Sequence, residues 1–336
     1  HGFTYENNMI VRLNNTSVQK LKTELLKYGN VINVSAASHI PAAGMTRGNG
    51  FKKDLAEKEW TGLKVFVVDE NYLENIGVKL TAGKFFSADN VSNKDFVVIN
   101  DRALKAFQYD TPFDAIGEEI IFQSDSSRKK IIGVVEDYNH SLLLNEIEPM
   151  VLMSNADELS LLHVKYTGTY EEAANSVEKA WSIVNPGLKV DYKDLGSEIR
   201  LFYDTIFGDA VDILGFIAFL AILISCLGLL GMATYTTESR IKEISIRKIL
   251  GSSDGALVYL LSKGFLSVLL IAIVIAVPAA YFLNNMWLEL IAYHVNVDVP
   301  TILLGILFLI LFALITIGSQ TWRAIFVNPV DNLKSE

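Results

Sequence analysis

Cysteine is nearly absent from this chain. Its single cysteine, Cys226, stands inside a long apolar run, so the residues before it have no disulfide and hold their core by packing alone. A signature of nucleotide chemistry is missing as well. No G-x-x-x-x-G-K-[ST] loop is present to cradle phosphates, which argues against an ATPase of that kind. His39, His140, His163 and His294 lack the i, i+4 or cysteine-paired spacing that metal sites use. Ser38 beside His39, and Asp137 near His140, leave a triad assembled from distant residues as an alternative, because triads are defined by geometry.

Charge is missing from three long stretches, residues 213–237, 264–288 and 299–322. A transmembrane helix needs about 20 consecutive apolar residues, and each stretch meets that length, so the expectation is three spans with helical cores at 213–235, 265–283 and 300–320. With no charge inside any of them, an ion or proton pathway is disfavoured. Pro278 removes one backbone hydrogen bond from the second span, and Gly228 and Gly231 do not make a G-x-x-x-G pair.

Basic residues near span ends stay cytoplasmic. Arg240, Lys242, Arg247, Lys248 and Lys263 crowd the first connection and Arg323 and Lys334 follow the third span, while residues 284–298 contain no Lys or Arg. The first connection and the C-terminal tail are therefore expected inside, and residues 1–212 outside. Tyr281, Trp287 and Tyr293 then mark the outer interface, with Tyr235 and Trp322 at the inner one. The chain opens on His1 with no apolar leader, and an earlier segment with at least one more span is expected upstream. The net charge is −9, yet Lys plus Arg and Asp plus Glu are equal in number after Asp212, so the acid excess lies wholly in the outer part. That balance disfavours nucleic acid as a partner.

The outer part reads as α+β. Residues 9–13 form a strand candidate, Thr16 an N-cap for a helix with Val18, Leu21 and Leu25 on one face ending at Gly29, and residues 31–36 a second strand. The same order returns later, with a strand at 161–166, a helix at 170–184 carrying Ala173, Val177 and Trp181, and an extended segment at 188–192. Two such units predict a split β-α-β sheet with helices on one face, built from residues 1–38 and 151–195, and an inserted subdomain at 39–150. In the insert, strands are expected at 63–68, 96–99, 119–122 and 130–135, short helices at 70–76 and 102–107, and a loop at 40–50.

The first connection carries the densest pattern. Residues 238–251 have no helix breaker before Gly251, which suits a position just past a helix end. Glu238 with Lys242 and Glu243 with Arg247 are i, i+4 pairs, each worth about 0.2–0.5 kcal/mol. Arg240, Glu243 and Arg247 form a charged stripe beside Ile241 and Ile244, with Ile249 further round. By residues alone, an interfacial helix lying in lipid headgroups and a helix that docks a cytoplasmic subunit both remain open.

Glu243-Ile-Ser-Ile-Arg-Lys-Ile-Leu-Gly251, preceded by Thr237-Glu-Ser-Arg240 and a span ending Cys226-Leu-Gly-Leu-Leu-Gly231, resembles the E-x-R-x-K-E-I-x-I-R-K-x-L-G segment of the MacB/FtsX/LolE group of ABC transporter permeases. Ile116-Gly117, Ile132-Gly-Val-Val-Glu-Asp-Tyr138 followed by Pro149, and Asn328-Pro-Val-Asp-Asn-Leu333 extend the resemblance over essentially the whole chain. It implies a MacB-like extracytoplasmic domain over 1–212, with porter-like and inserted subdomains, and an FtsX-like permease domain over 213–336. Glu238, Arg240, Lys242, Glu243, Ile246, Arg247, Lys248 and Gly251 would form a coupling surface for an ABC ATP-binding subunit. ATP and Mg would sit on that subunit, with no cofactor and no catalytic site in this chain. The resemblance further implies a bacterial inner-membrane location, pairing of permease halves as a dimer or pseudo-dimer, and a periplasmic adaptor or substrate protein as partner. The implied function is mechanical export or extraction of an antimicrobial, peptide or lipoprotein; the alternative is an FtsX-type signalling scaffold. One departure is Glu118-Glu119, where members of the group often carry a basic residue.

Overall fold

A computed structural model describes residues 2–44, 46–88, 91–289 and 298–325. Tyr293, His294, Lys334 and the motif at 328–333 lie outside the described residues, as do the side chains of Ile241, Lys248, Trp322 and Arg323. The chain divides into two compact units, His1–Phe207 and Gly208–Glu336.

In chain order the first unit contains β1 (Asn8–Arg12), α1 (Val18–Leu25), β2 (Val31–Ala37), β3 (Arg47–Lys52), β4 (Thr61–Val67), α2 (Tyr72–Ile76), β5 (Leu80–Gly83) and β6 (Phe96–Asn100). It continues with α3 (Asp101–Ala106), α4 (Pro112–Ala115), β7 (Glu119–Phe122), β8 (Arg128–Val135), β9 (Met150–Met153), β10 (Leu161–Tyr166), α5 (Tyr170–Val184) and β11 (Tyr192–Asp194). The helix α6 (Leu195–Ser239) starts here and ends in the second unit, which then has α7 (Ile241–Ile249), α8 (Asp254–Leu288) and α9 (Val299–Ile325).

The expected split sheet is present. Its strand order is β11-β1-β10-β2, with β1 and β10 antiparallel at the centre. Because side chains alternate across a strand, Met9, Val11, Val34, Ala36, Leu162 and Val164 all face one side, where Leu21 and Leu25 of α1 and Ala173, Val177 and Trp181 of α5 cover them. Full burial of each such aliphatic side chain is worth about 1.5–3 kcal/mol. Thr169 and Glu172 cap α5 reciprocally, each side chain accepting from the other's backbone N–H.

Several boundaries differ from expectation. Ser17, not Thr16, holds the N-cap position of α1, because Thr16 Oγ1 accepts a hydrogen bond from Asn185 Nδ2 at 2.9 Å. The same helix stops at Leu25, before Gly29: Tyr28 N–H bonds to Leu25 O and Val31 N–H to Tyr28 O, a tight turn that feeds β2. The last strand lies at Tyr192–Asp194, later than 188–192, and the Leu188 carbonyl instead accepts from Trp181 Nε1 at 3.0 Å.

The second sheet runs β5-β8-β6-β9-β4-β3-β7. β7 pairs with β3 on one side and with β8 on the other, so the ladder closes on itself, with β5 carried on the remaining length of β8. The strands β3, β5 and β9 are additional to those expected. β3 contains Arg47-Gly-Asn-Gly-Phe-Lys52, whose glycines read as loop, and its pairing with β4 and β7 makes it a strand. β9 belongs to this sheet, so the strands on the inserted side run past residue 150.

In the second unit α6, α8 and α9 are long and apolar enough to cross a membrane, by length and composition. α8 runs through Pro278 without ending, and α8 packs against α9. The first helix starts well before residue 213. Its early turns carry Leu195, Ile199 and Tyr203 at i, i+4 and i+8, and these pack into the core of the first unit.

Candidate functional site

The short helix between two span-length helices is where the implied coupling residues meet. The continuous helix expected over 238–251 is broken: α6 ends at Ser239, Arg240 stands between helices, and α7 begins at Ile241. The Ser239 hydroxyl donates to the Thr236 carbonyl at 3.0 Å, a local bond of the kind that competes with helix continuation. Arg240 supplies its carbonyl to Ile244 N–H at 3.0 Å, so it opens α7 as a cap residue would. Because the break falls between them, Glu238 and Lys242 form no ion pair, whereas Glu243 accepts from Arg247 at 2.8 Å and 3.1 Å.

The other end of α7 is closed by backbone geometry. Gly251 has φ +89, in the left-handed region, and Ser252 N–H reaches back to Arg247 O at 3.0 Å. This is the six-to-one bond of a Schellman turn, which a glycine at that position permits without steric cost. Ser253 then caps α8, its side chain accepting from Ala256 N–H.

The two sides of α7 differ. Ile244 and Ser245 are buried, at 5 % and 4 % exposure, while Ile246, Ile249 and Leu250 stand out at 51 %, 63 % and 79 %. Ile246 and Leu250 fall one turn apart beside the Glu243–Arg247 pair, with Lys242 exposed nearby. The site is thus an apolar ridge edged by a fixed carboxylate–guanidinium pair. The charged stripe expected from Arg240, Glu243 and Arg247 is interrupted, since Arg240 lies outside the helix, and the outward apolar residues are Ile246, Ile249 and Leu250 in place of Ile244.

The alternative catalytic residues do not assemble. Ser38 Oγ and His39 Nδ1 lie 2.7 Å apart, but Ser38 Oγ also accepts from Val67 N–H at 3.0 Å. Burial and the neighbouring Arg47 lower the pKa of His39. Asp137 faces Asn100 and Arg102, accepting from Asn100 Nδ2 at 2.8 Å and Arg102 N–H at 3.1 Å, while His140 Nδ1 bonds to the Tyr138 carbonyl. Among the described residues no group of three or more His, Cys, Asp or Glu side chains could hold a metal ion. Glu119 pairs with Arg128 of β8 at 3.2 Å, so the departure at Glu118-Glu119 is tied into the sheet.

Sequence reading missed one charged site. Lys22 of α1 donates to Asp69 Oδ2 and Glu70 Oε1, both at 2.7 Å, at the floor of a polar cleft of about 1080 Å³. Burial pushes Asp69 up to about 6 against the pull of Lys22. Burial works against the charge on Lys22, but the two carboxylates outweigh it and its pKa is raised. The partners are 47 and 48 residues from Lys22, so spacing could not reveal them.

Comparison with known proteins places these features. The family described as MacB-like periplasmic core domain matches residues 4–184, and that described as FtsX-like permease C-terminal matches residues 215–329. The macrolide export ATP-binding/permease protein MacB of Aggregatibacter actinomycetemcomitans is 23% identical over 240 residues. That alignment takes in 68% of this chain and 36% of the relative, so the chain spans little more than a third of its length. Among solved structures, the periplasmic region of MacB from Actinobacillus actinomycetemcomitans is 14% identical with a TM-score of 0.43, covering 60% of this chain and 94% of that one. The extracellular domain of the noncanonic ABC-type transporter YknZ from Gram-positive bacteria is 12% identical with a TM-score of 0.40, covering 56% and 98%.

Proposed function

Since the chain belongs to the MacB/FtsX-like family of ABC transporter permeases, we propose that it couples ATP hydrolysis on a separate nucleotide-binding subunit to movement of its first unit. The single observation that carries this is α7, an exposed apolar ridge with a fixed ion pair, held between two helices long enough to cross a membrane. A lipid surface can take up isoleucines and solvate charges, but it offers no complement to a paired carboxylate and guanidinium. A protein groove can receive the ridge and read both signs of charge.

In this reading Ile246, Ile249 and Leu250 enter the partner's groove, and Lys242, Glu243 and Arg247 set the register. Glu238, Arg240 and Lys248 complete the surface, and Gly251 fixes the angle at which α8 departs. ATP and Mg bind the partner alone. The first unit lies in the periplasm of a bacterial inner-membrane protein that works as a pair of permease halves, and it pushes cargo of the export or extraction kind. The name of the MacB relative, which joins ATP binding to permease and macrolide export, supports that class of work.

The test uses the complex co-purified from native membranes. Glu243→Arg and Arg247→Glu, made singly, should lower assembly with the ATP-binding subunit or the ATP turnover of the complex. The double exchange keeps an internal ion pair but inverts the pattern shown to the partner, and should stay defective. Unchanged assembly and turnover in both single variants would remove the docking role of α7.

A further inference from the structure

We propose that the first turns of α6 form a bracket between the two sheets of the first unit, with Tyr203 as the positioning residue that ties this helix to the larger sheet's loops. The proposal rests on the mechanical reading above and names where movement enters the first unit.

Leu195 and Ile199 are buried in a core that mixes Ile10 and Leu161 of the four-stranded sheet with Phe66, Val98 and Leu152 of the seven-stranded one. On one side of this segment Glu198, only 12% exposed, ion-pairs with Arg12 of β1 at 2.8 Å and with Lys193 of β11 at 2.9 Å. Asp194 fixes the helix start by accepting from Ser197 N–H. That hand holds the four-stranded sheet.

The other hand is Tyr203. Its hydroxyl donates to the Ala42 carbonyl at 2.8 Å and accepts from Leu143 N–H at 2.8 Å. Ala42 belongs to the loop joining β2 to β3, and Leu143 to the loop joining β8 to β9. Ala42 is fully buried with φ +59, a left-handed conformation that an alanine keeps only where its surroundings hold it. One hydroxyl thus fastens two loops to one helix, using its donor and an acceptor lone pair together. The Tyr203 ring is seated separately, stacked on Phe207 at 6.2 Å and edge-on to Phe202 at 5.4 Å. Packing and fastening are therefore separable within one side chain.

With both hands closed, one sheet cannot shift against the other without moving α6 or breaking a hand, and displacement of α6 reaches both sheets at once. A merely structural tyrosine would affect stability and nothing else. A positioning tyrosine sets how far the sheets respond to the helix.

The experiment uses the full chain with its ATP-binding subunit, Cys226→Ala as background, and spin labels at Lys20→Cys on α1 and Lys105→Cys on α3, both exposed. The distance between labels is measured with and without a non-hydrolysable ATP analogue. The wild-type background should show a nucleotide-dependent shift. Tyr203→Phe should lose that shift while keeping ATP turnover and melting temperature, and Glu198→Gln should reduce it from the other side. A Tyr203→Phe shift equal to the background, with Glu198→Gln likewise unchanged, overturns the bracket and leaves the coupling reading standing. Absence of any shift in the background overturns the mechanical reading and the bracket with it. Should Tyr203→Phe melt early, Glu198→Gln decides: a reduced shift supports the bracket and a full one overturns it.

Discussion

In the first unit Phe66, Tyr72 and Trp181 are sealed among their neighbours, while in the second Ile271, Val274 and Phe282 stand 61%, 71% and 69% exposed. Both units are rich in apolar side chains, so hydrophobicity alone does not separate them. What differs is the solvent each side chain needs. The first unit folds its strands so that alternate residues meet across two layers, whereas the second arrays apolar residues around whole helices, as a bilayer allows. Polar atoms show the same contrast: the first unit buries ions and imidazoles and must satisfy or neutralise them, and the helices of the second satisfy their backbone internally.

The widest gap between the units should appear on truncation. Trp181→Ala empties a packed site between α5 and the sheet and should cost about 3–5 kcal/mol. Ile271→Ala, on an outward helix face, should change the stability of the first unit by less than about 0.5 kcal/mol. Thermal unfolding of both variants, followed by hydrogen exchange at β10, measures the pair, and comparable losses would erase the distinction.

Acid should attack the first unit through its imidazoles. Burial lowers His163 to about 3 and His140 to about 4, so below the ordinary value of 6.5 the unfolded chain binds more protons, and stability falls as pH drops from 6.5 through 4 and 3. Asp69 acts in the opposite sense. Its raised pKa favours the folded chain below 3.8, an advantage lost as pH climbs through about 6. The histidines prevail in the balance because two of them oppose one carboxyl, over a longer span of pH. His163→Leu removes both ring nitrogens, which have no hydrogen-bond partner among the described residues, and should be nearly neutral at pH 7 while recovering on the order of 2–5 kcal/mol of the acid loss. An unaltered slope of stability against pH would contradict this.

The smallest effect belongs to α7. Glu243→Gln should cost only about 0.3–0.5 kcal/mol of helix stability, the worth of an exposed i, i+4 pair. Its change in ATP turnover by the complex should be far larger in proportion. A variant whose turnover follows its stability would place the ion pair with the structural contacts.

Much of this was legible in the residues. The strand at Leu161–Tyr166 and the helix at Tyr170–Val184 stand where alternation and the Ala173, Val177, Trp181 spacing put them, because local pattern and tertiary demand agree there. The strand at Arg47–Lys52 was hidden, since Gly48 and Gly50 signal a turn and its ladder comes from β4 and β7. The break at Arg240 was hidden too: no proline or glycine stands between Glu238 and Gly251, and the Ser239 hydroxyl bonds to the Thr236 carbonyl just before the break. The fastening at Tyr203 joins residues 161 and 60 positions apart. No periodicity reports contacts of that range.

The closure of β7 onto both β3 and β8 also bears on how the chain behaves in company. A sheet that ends in an open strand offers a row of bare amides and carbonyls on which another molecule's strand can grow. Here β7 is paired on both sides, with β8 and with Phe51 and Lys52 of β3, and the strand left outside the ring, Leu80–Gly83, is four residues long. Wherever many copies share a confined space, the architecture that shapes this subdomain leaves its neighbours only short open edges as a template for aggregation.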